Sequence, residues 1–242
     1  MLYKVLDRGG VPFHGGQGQW FLPRGRRPAR WMPRVCDIAP CSRGYHLLER
    51  NDVVYWLGPE LWEVEGRGEQ IRDKNKTVFE QARLLRRIEA WADETARLFA
   101  ADCAEHVLGL YEAQHPTDAR PRNAIQAARA FTRGEISLDY LWQASAAATA
   151  AAVNSAAAKP AYAAAYAAAY AAYAANAAYA ANSAAYAAYA AANAAANAAA
   201  NAAAYAAAYA AYAAAYAAAT NAAANAAERT WQTTQLFTYL EA

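Results

Sequence analysis

The spacing of apolar and polar positions changes character near residue 90. Before it, apolar residues fall in short β-branched or aromatic runs: LYKVL (Leu2 to Leu6), VVYWL (Val53 to Leu57) and LWEVEG (Leu61 to Gly66). Each is bounded by Gly, Pro, Asn or Asp, which predicts strands. Between them, GGVPFHGGQGQW and LPRGRRPARWMP are dense enough in Gly and Pro to predict loops. The segment TVFEQARLLRRI fits two periods, with Val78, Ala82, Leu85 and Ile88 on a helix face or Val78, Ala82, Leu84 and Ile88 on a strand face. From Asp93, a plausible N-cap, Ala96, Phe99, Cys103, Val107, Leu110 and Tyr111 recur at helical spacing until His115-Pro116. A second helix is expected after Asp118, with Pro121 in its first turn and Gly134 as its stop. Ser137 then caps a third helix carrying Leu138, Leu141 and Trp142, and Pro160 suits the first turn of the next.

The 67 residues from Ala161 to Ala227 hold 47 Ala, 11 Tyr, 7 Asn, one Ser and one Thr. Alanine has the highest helix propensity, and the large residues stand three or four apart throughout, so the run predicts helix. A single rod would be about 100 Å long at roughly 1.5 Å per residue. Its large-residue stripe also drifts, backward from Tyr170 to Asn182 and forward from Asn193 to Tyr209, so no one groove could follow it. Two or three antiparallel helices are therefore expected, with turns near Asn182-Ser183 and Asn201. Each buried alanine methyl contributes only about 0.8 kcal/mol, so tyrosine rings are expected to supply the packing area. The closing segment ERTWQTTQLFTYLEA restores large apolar residues and reads as a cap over the end of the array.

The fold class that follows is α+β: a small, loop-rich mixed-sheet domain over residues 1–90, then an all-α antiparallel array rich in Ala over 91–242. Net charge is only +2, but within residues 1–35 Lys4, Arg8, Arg24, Arg26, Arg27, Arg30 and Arg34 are opposed by Asp7 alone. Arg24, Arg26, Arg27 and Arg30 thus form a basic arm that could meet phosphate, including nucleic acid, or an acidic partner. Three cysteines at irregular spacing, behind an opening MLYKVLDRGG without an apolar signal stretch, lead to the expectation of a reduced, cytoplasmic protein. The Ala run lacks Leu, Ile, Phe and Val, which argues against membrane insertion, and its drifting stripe argues against a flat ice-binding face.

Motifs for chemistry are sparse. No Walker loop, dinucleotide fingerprint, H-E-x-x-H or G-x-S-x-G is present, and GGQGQW at Gly15 to Trp20 reads as a loop, so no cofactor is expected. Cys36, Cys41 and His46 fall five apart, with His14 upstream, which is a wide spacing for a zinc site. His46, Tyr55, Glu63 and Glu65 lie on or beside predicted strands; His46, Tyr55 and Glu65 are the catalytic candidates for a nucleotide-cleaving transferase. Cys103 and His106, one helical turn apart, could form a nucleophile pair, although Cys103 belongs to the apolar stripe.

The stretch ADCAEHVLGLYEAQHPTDARPRNAIQAARAFTRGEISLDYLWQASAAATAAA resembles the Ala-rich helical family of immunity proteins associated with bacterial toxin systems, most specifically in RPRNAIQAARA at Arg120 to Ala130. The likeness runs from about Ala101 to the end, with Tyr and Asn here where the family tends to carry charge. Upstream, PCSRGYHLLERNDVVYWLGPELWEVEGRGE with TVFEQARLLRRI is similar to a small domain of unknown function in bacterial and phage proteins. That resemblance implies that Cys41, Gly44, Tyr45 and His46 form a turn leading into a helix, and that TVFEQARLLRRI is a strand. The first reading is a non-enzymatic protein-binding module of the immunity or regulatory kind. Its expected contacts are exposed tyrosines, the basic arm, Asp118, Arg120 and Arg122. The alternative is an N-terminal enzyme domain that modifies nucleotides or nucleic acid, with the array as scaffold.

Overall fold

The computed structural model describes residues 1–154, 164–169, 171–172, 210–215 and 222–241, without the side chains of 222 and 223. Their contacts divide the chain into two units, Met1–Trp91 with the last residues from Leu240, and Ala92–Tyr239. The fold is α+β, a curled antiparallel sheet followed in sequence by a helical region.

The first unit is built on strands β1 (Leu2–Asp7), β2 (Val11–Pro12), β3 (Tyr45–Leu47), β4 (Glu60–Asp73) and β5 (Lys76–Arg87). They form one antiparallel sheet in the order β2-β1-β4-β5-β3. Just past β3, Leu48 exchanges both backbone hydrogen bonds with Tyr3 of β1, at 2.8 and 2.9 Å, so the sheet curls back toward its own first strand. The concave face packs Leu6, Leu47, Val64, Phe79, Ala82 and Leu84 around Trp20. The segment TVFEQARLLRRI is strand: Ala82 and Leu84 are buried while Gln81, Arg83 and Leu85 are not, so the period of two prevails over the helical one.

Arg50–Tyr55 is a 3-10 helix, so the predicted strand VVYWL does not form. The cause is local capping: Glu49 and Asp52 satisfy each other's backbone, and Arg72 clamps Asp52 with two bonds of 2.6 and 3.0 Å. The turn before it, implied to lead into a helix, leads into β3 instead, because Tyr45, His46 and Leu47 pair with Phe79, Val78 and Thr77. The Arg- and Pro-rich loop is a strap along the edge of β5 beyond β3. Backbone N–H groups of Ala29, Met32 and Val35 donate to the carbonyls of Leu84, Ala82 and Glu80, at 2.9 to 3.0 Å. This covers an edge that would otherwise be open to pairing.

In the second unit, α1 (Asp93–Glu112), α2 (Arg120–Thr132) and α3 (Leu138–Asn154) follow the predicted spacing. The N-cap of α1 is Ala92 rather than Asp93; Asp93 and Glu94 occupy the first turn, where carboxylates favour the helix dipole. Gly134 ends α2 with φ +73°, and Ser137 Oγ accepts the Tyr140 N–H at 3.3 Å. Phe99, Cys103, Val107, Tyr111, Ile125 and Leu141 are buried, while Leu110, expected in the same stripe, is exposed. Leu236 and Phe237 of the closing helix, Ala222–Leu240, are buried as well.

Residues 164–169, 171–172 and 210–215 are helical, and their alanines are buried. The tyrosines described there do not form the core: Tyr166 is half-buried and Tyr212 is 60% exposed. Small side chains let backbones approach closely enough for side-chain bonds to helix carbonyls. Ser145 bonds Ala169 at 3.2 Å, Gln232 bonds Ala211 at 2.8 Å and Asn225 bonds Ala215 at 3.2 Å. The turns expected near Asn182-Ser183 and Asn201 lie outside the described residues. Among the described residues, no helix is long and apolar enough to cross a membrane.

Candidate functional site

A cavity of about 710 Å³ opens in the first unit. One wall comes from β1 through Lys4, another from the turn and start of β3 through Cys41, Gly44, Tyr45 and His46. Trp56 and Lys76 close a third side, and the Gly15–Gly18 loop forms the rim. Lys4 reaches the cavity because Leu2, Lys4 and Leu6 alternate onto the concave face of the sheet. Its ammonium donates to the His46 carbonyl at 3.1 Å and lies 5.3 Å from the Trp20 ring centre. Lys4 forms no ion pair among the described residues, and burial pushes its ammonium down to about 8.

The two histidines hold opposite tautomers. His46 Nε2 accepts the Cys41 N–H at 2.9 Å, so the proton of the neutral ring sits on Nδ1. His14 Nε2 faces the Trp56 carbonyl at 2.8 Å, an acceptor only, so here Nε2 carries the proton. Burial, together with Lys4 and Lys76, holds His46 below its ordinary value. Burial lowers His14 also, against the carbonyls of Trp56 and Leu57, which favour its charged form.

Aromatic side chains frame this cluster. The Trp20 and Tyr45 rings meet edge to face at 5.4 Å, and the Tyr45 hydroxyl donates to the Pro33 carbonyl at 2.8 Å. Trp56 Nε1 donates to the Asn75 carbonyl at 3.0 Å, with the Lys76 ammonium 4.7 Å from its ring. The formally charged side chains on the described lining are Lys4, Arg43 and Lys76, with no Asp or Glu. Lys76 is ion-paired with Asp73 at 3.6 Å and Arg43 with Asp37 at 3.9 Å, which leaves Lys4 as the lining cation with no ion pair among the described residues. A cationic cavity with aromatic walls suits an anion that carries a flat ring.

Of the catalytic candidates, only His46 is in this cavity. Glu65 lies opposite Arg83 on the sheet and pairs with it at 2.7 Å. His46 lies opposite Val78, five residues away on β5, or about 17 Å of strand at roughly 3.4 Å per residue. Tyr55, at the end of the 3-10 helix, is exposed and lines no part of the cavity. Among the metal candidates, Cys41 and His46 meet through the backbone bond just described, and His14 shares the cavity, whereas exposed Cys36 does not line it. Among the described residues no group of three His, Cys, Asp or Glu is placed to hold a metal ion. Arg24, Arg26, Arg27 and Arg30 are exposed on the loop and strap, with Arg30 stacked 3.5 Å over Phe21.

Sequence reasoning missed Lys4, Trp20 and Lys76 as site residues. The legible signal for Lys4 was its position between Leu2 and Leu6, on a strand whose other face, Tyr3 and Val5, is also apolar. A lysine on a strand with two apolar faces must enter one of them.

In the second unit, the polar candidates are occupied within the fold. Asp118 accepts from the Tyr111 hydroxyl, the Arg120 backbone at 3.1 Å and the Arg120 guanidinium at 2.8 Å. The Arg120 guanidinium holds the Asp118 carboxyl far below the usual carboxylate range. Arg122 pairs with Glu112 through bonds of 2.8 and 2.7 Å. Cys103 is fully buried, and burial pushes its thiol well up, which suits packing rather than nucleophilic attack. His106 stacks on Trp231 at 3.7 Å and bonds Glu228 at 2.7 Å.

Residues 87–198 match the family model described as "Imm-5 like putative immunity protein", a span that includes α1, α2 and α3 and enters the Ala run. No curated protein and no solved structure matches the chain.

Proposed function

We propose that the helical unit is a non-enzymatic, protein-binding module of the immunity kind, which neutralises a toxin by occupying its surface. The observation that carries this reading is the match of residues 87–198 to the immunity family model. Burial supports recognition over catalysis: Cys103 is sealed in the core and the His106 ring is engaged by Glu228 and Trp231. Binding needs a few large anchors, and α3 offers them. Trp142, Ala146, Ala150 and Val153 fall on one exposed stripe of the helix, with Trp142 53% and Val153 58% exposed. Exposed Trp is costly on an unpartnered helix and is the residue type most enriched at interface hot spots.

The test is co-expression of the full chain with candidate toxins from its own genome, scored by growth and by isothermal titration of the purified pair. The wild type is expected to protect and to bind in a fixed ratio. The double variant W142D/V153D is expected to bind at least about 30-fold more weakly, the loss typical of an interface hot spot. Failure of the wild type to protect removes the immunity reading; undiminished binding by the double variant removes this surface.

A further inference from the structure

The cavity of the first unit is independent of the immunity reading, and the geometry points to a nucleotide as its ligand: phosphate toward Lys4 and Lys76, base against Tyr45 and Trp56. Four observations carry this assignment. The volume, about 710 Å³, falls in the range of small-molecule sites, roughly 300–1,000 Å³. The described lining is cationic and has no carboxylate; Asp73 and Asp37 stand behind Lys76 and Arg43, so Lys4 is the lining cation that an anion meets without a paired carboxylate among the described residues. Lys4 is a half-buried ammonium that spends one of its three donors on the His46 carbonyl and forms no ion pair among the described residues. Such a desolvated amine gains from any anion that arrives beside it, and burial has already lowered its hold on the proton.

The fourth observation is the character of the walls. Tyr45 and Trp56 are half-buried, each fixed by a hydrogen bond from its polar end to a backbone carbonyl, which leaves ring surface for stacking at small entropic cost. Gly15, Gly16 and Gly18 all have positive φ, between 81° and 102°, and place side-chain-free backbone along the rim. Gln17, Gln19 and Ser42 supply neutral donors and acceptors for the edge of a base. A bare inorganic anion would leave the aromatic walls unused, and an uncharged ring would leave Lys4 unpaired. A nucleotide satisfies both, whether free in solution or as the phosphorylated end of a strand.

Isothermal titration of the full chain with adenosine monophosphate, adenosine and inorganic phosphate tests the assignment. Adenosine monophosphate is expected to bind at least tenfold more tightly than either fragment. K4M is expected to weaken it tenfold or more, and Y45A, which removes a ring proposed to face the base, severalfold; circular dichroism confirms that each variant is folded. A short oligonucleotide with and without a 5′-phosphate separates the sources: preference for the phosphorylated end, lost in K4M, assigns the site to strand termini. Oligonucleotide binding that ignores the 5′-phosphate and is lost in R24A/R26A/R27A/R30A belongs to the arm and leaves the free nucleotide as the source, whereas adenosine monophosphate binding lost in that variant and kept in K4M overturns the assignment. So does the absence of adenosine monophosphate binding at millimolar concentration by the folded wild type.

Discussion

At the scale of single residues, burial decides what a charged group does. Lys4 sits on an apolar strand face, where its charge is disfavoured, and its folded value of about 8 lies below the roughly 10.4 of an exposed lysine. Between these values the unfolded chain holds a proton that the native chain has released, so this residue makes stability rise with pH from about 8 to about 10. Below pH 8 both states are charged, and the native state bears the full desolvation cost. K4M is therefore expected to stabilise the first unit at pH 7, by about 1 kcal/mol after the lost bond to His46 is counted, with the gain shrinking toward pH 10. Urea unfolding at the two pH values measures it. Asp118 has the same direction for a different cause, a stabilising ion pair rather than a desolvated charge. Its carboxyl is held low by Arg120, so its contribution is complete above about pH 4 and fades as pH falls below that. D118N should cost about 1–3 kcal/mol at pH 7, since it loosens Tyr111 and the first turn of α2 together. A shift in the urea midpoint of α-helical signal reads this out.

At the scale of elements, local chemistry and long-range pairing contribute differently. Periodicity placed α1, and local signals placed α2 and α3, because their causes lie within a few residues: Pro121, Gly134 and Ser137. The run TVFEQARLLRRI could not be assigned from its own period. Its partner β4, paired with it across a hairpin, selects strand. VVYWL failed in the other direction, since β-branched composition was overridden by the Glu49–Asp52 cap and by Arg72, a residue from β4. Gly44 illustrates how narrowly β3 is admitted. It has φ +112°, and a Cβ there would stand 2.5 Å from Val78 Cγ1. G44A is expected to lose about 2–3 kcal/mol through strain and overpacking, read as a lower thermal midpoint of the β signal.

At the scale of the whole molecule, two units carry two separate proposals, and they separate experimentally. Saturating nucleotide at 100 times its Kd should stabilise the first unit by about 2.7 kcal/mol, visible as slowed hydrogen exchange in β1 and β3. K4M should abolish that protection and leave growth protection against the toxin unchanged. W142D/V153D should do the reverse. Linked loss of both properties in either variant would contradict the assignment of one activity to each unit.

The sequence by itself determined the α+β class, the strands β1 and β4, the three leading helices with the stop of α2 and the cap of α3, and the helical character of the alanine stretches that are described. These follow from periodicity, propensity and capping, which act over one or two turns of chain. It also marked His14, Cys41 and His46 as chemically capable side chains. Only the tertiary structure decided that Lys4, His14, Trp20, His46, Trp56 and Lys76 share one cavity, and that Glu65 and Tyr55 stand outside it. It likewise assigned Asp118 and Arg120 to holding the start of α2. The reason is physical: a cavity is made by the curl of a sheet and the closing of loops across tens of residues, and which face a lysine enters is fixed by the strands that pair on either side of it.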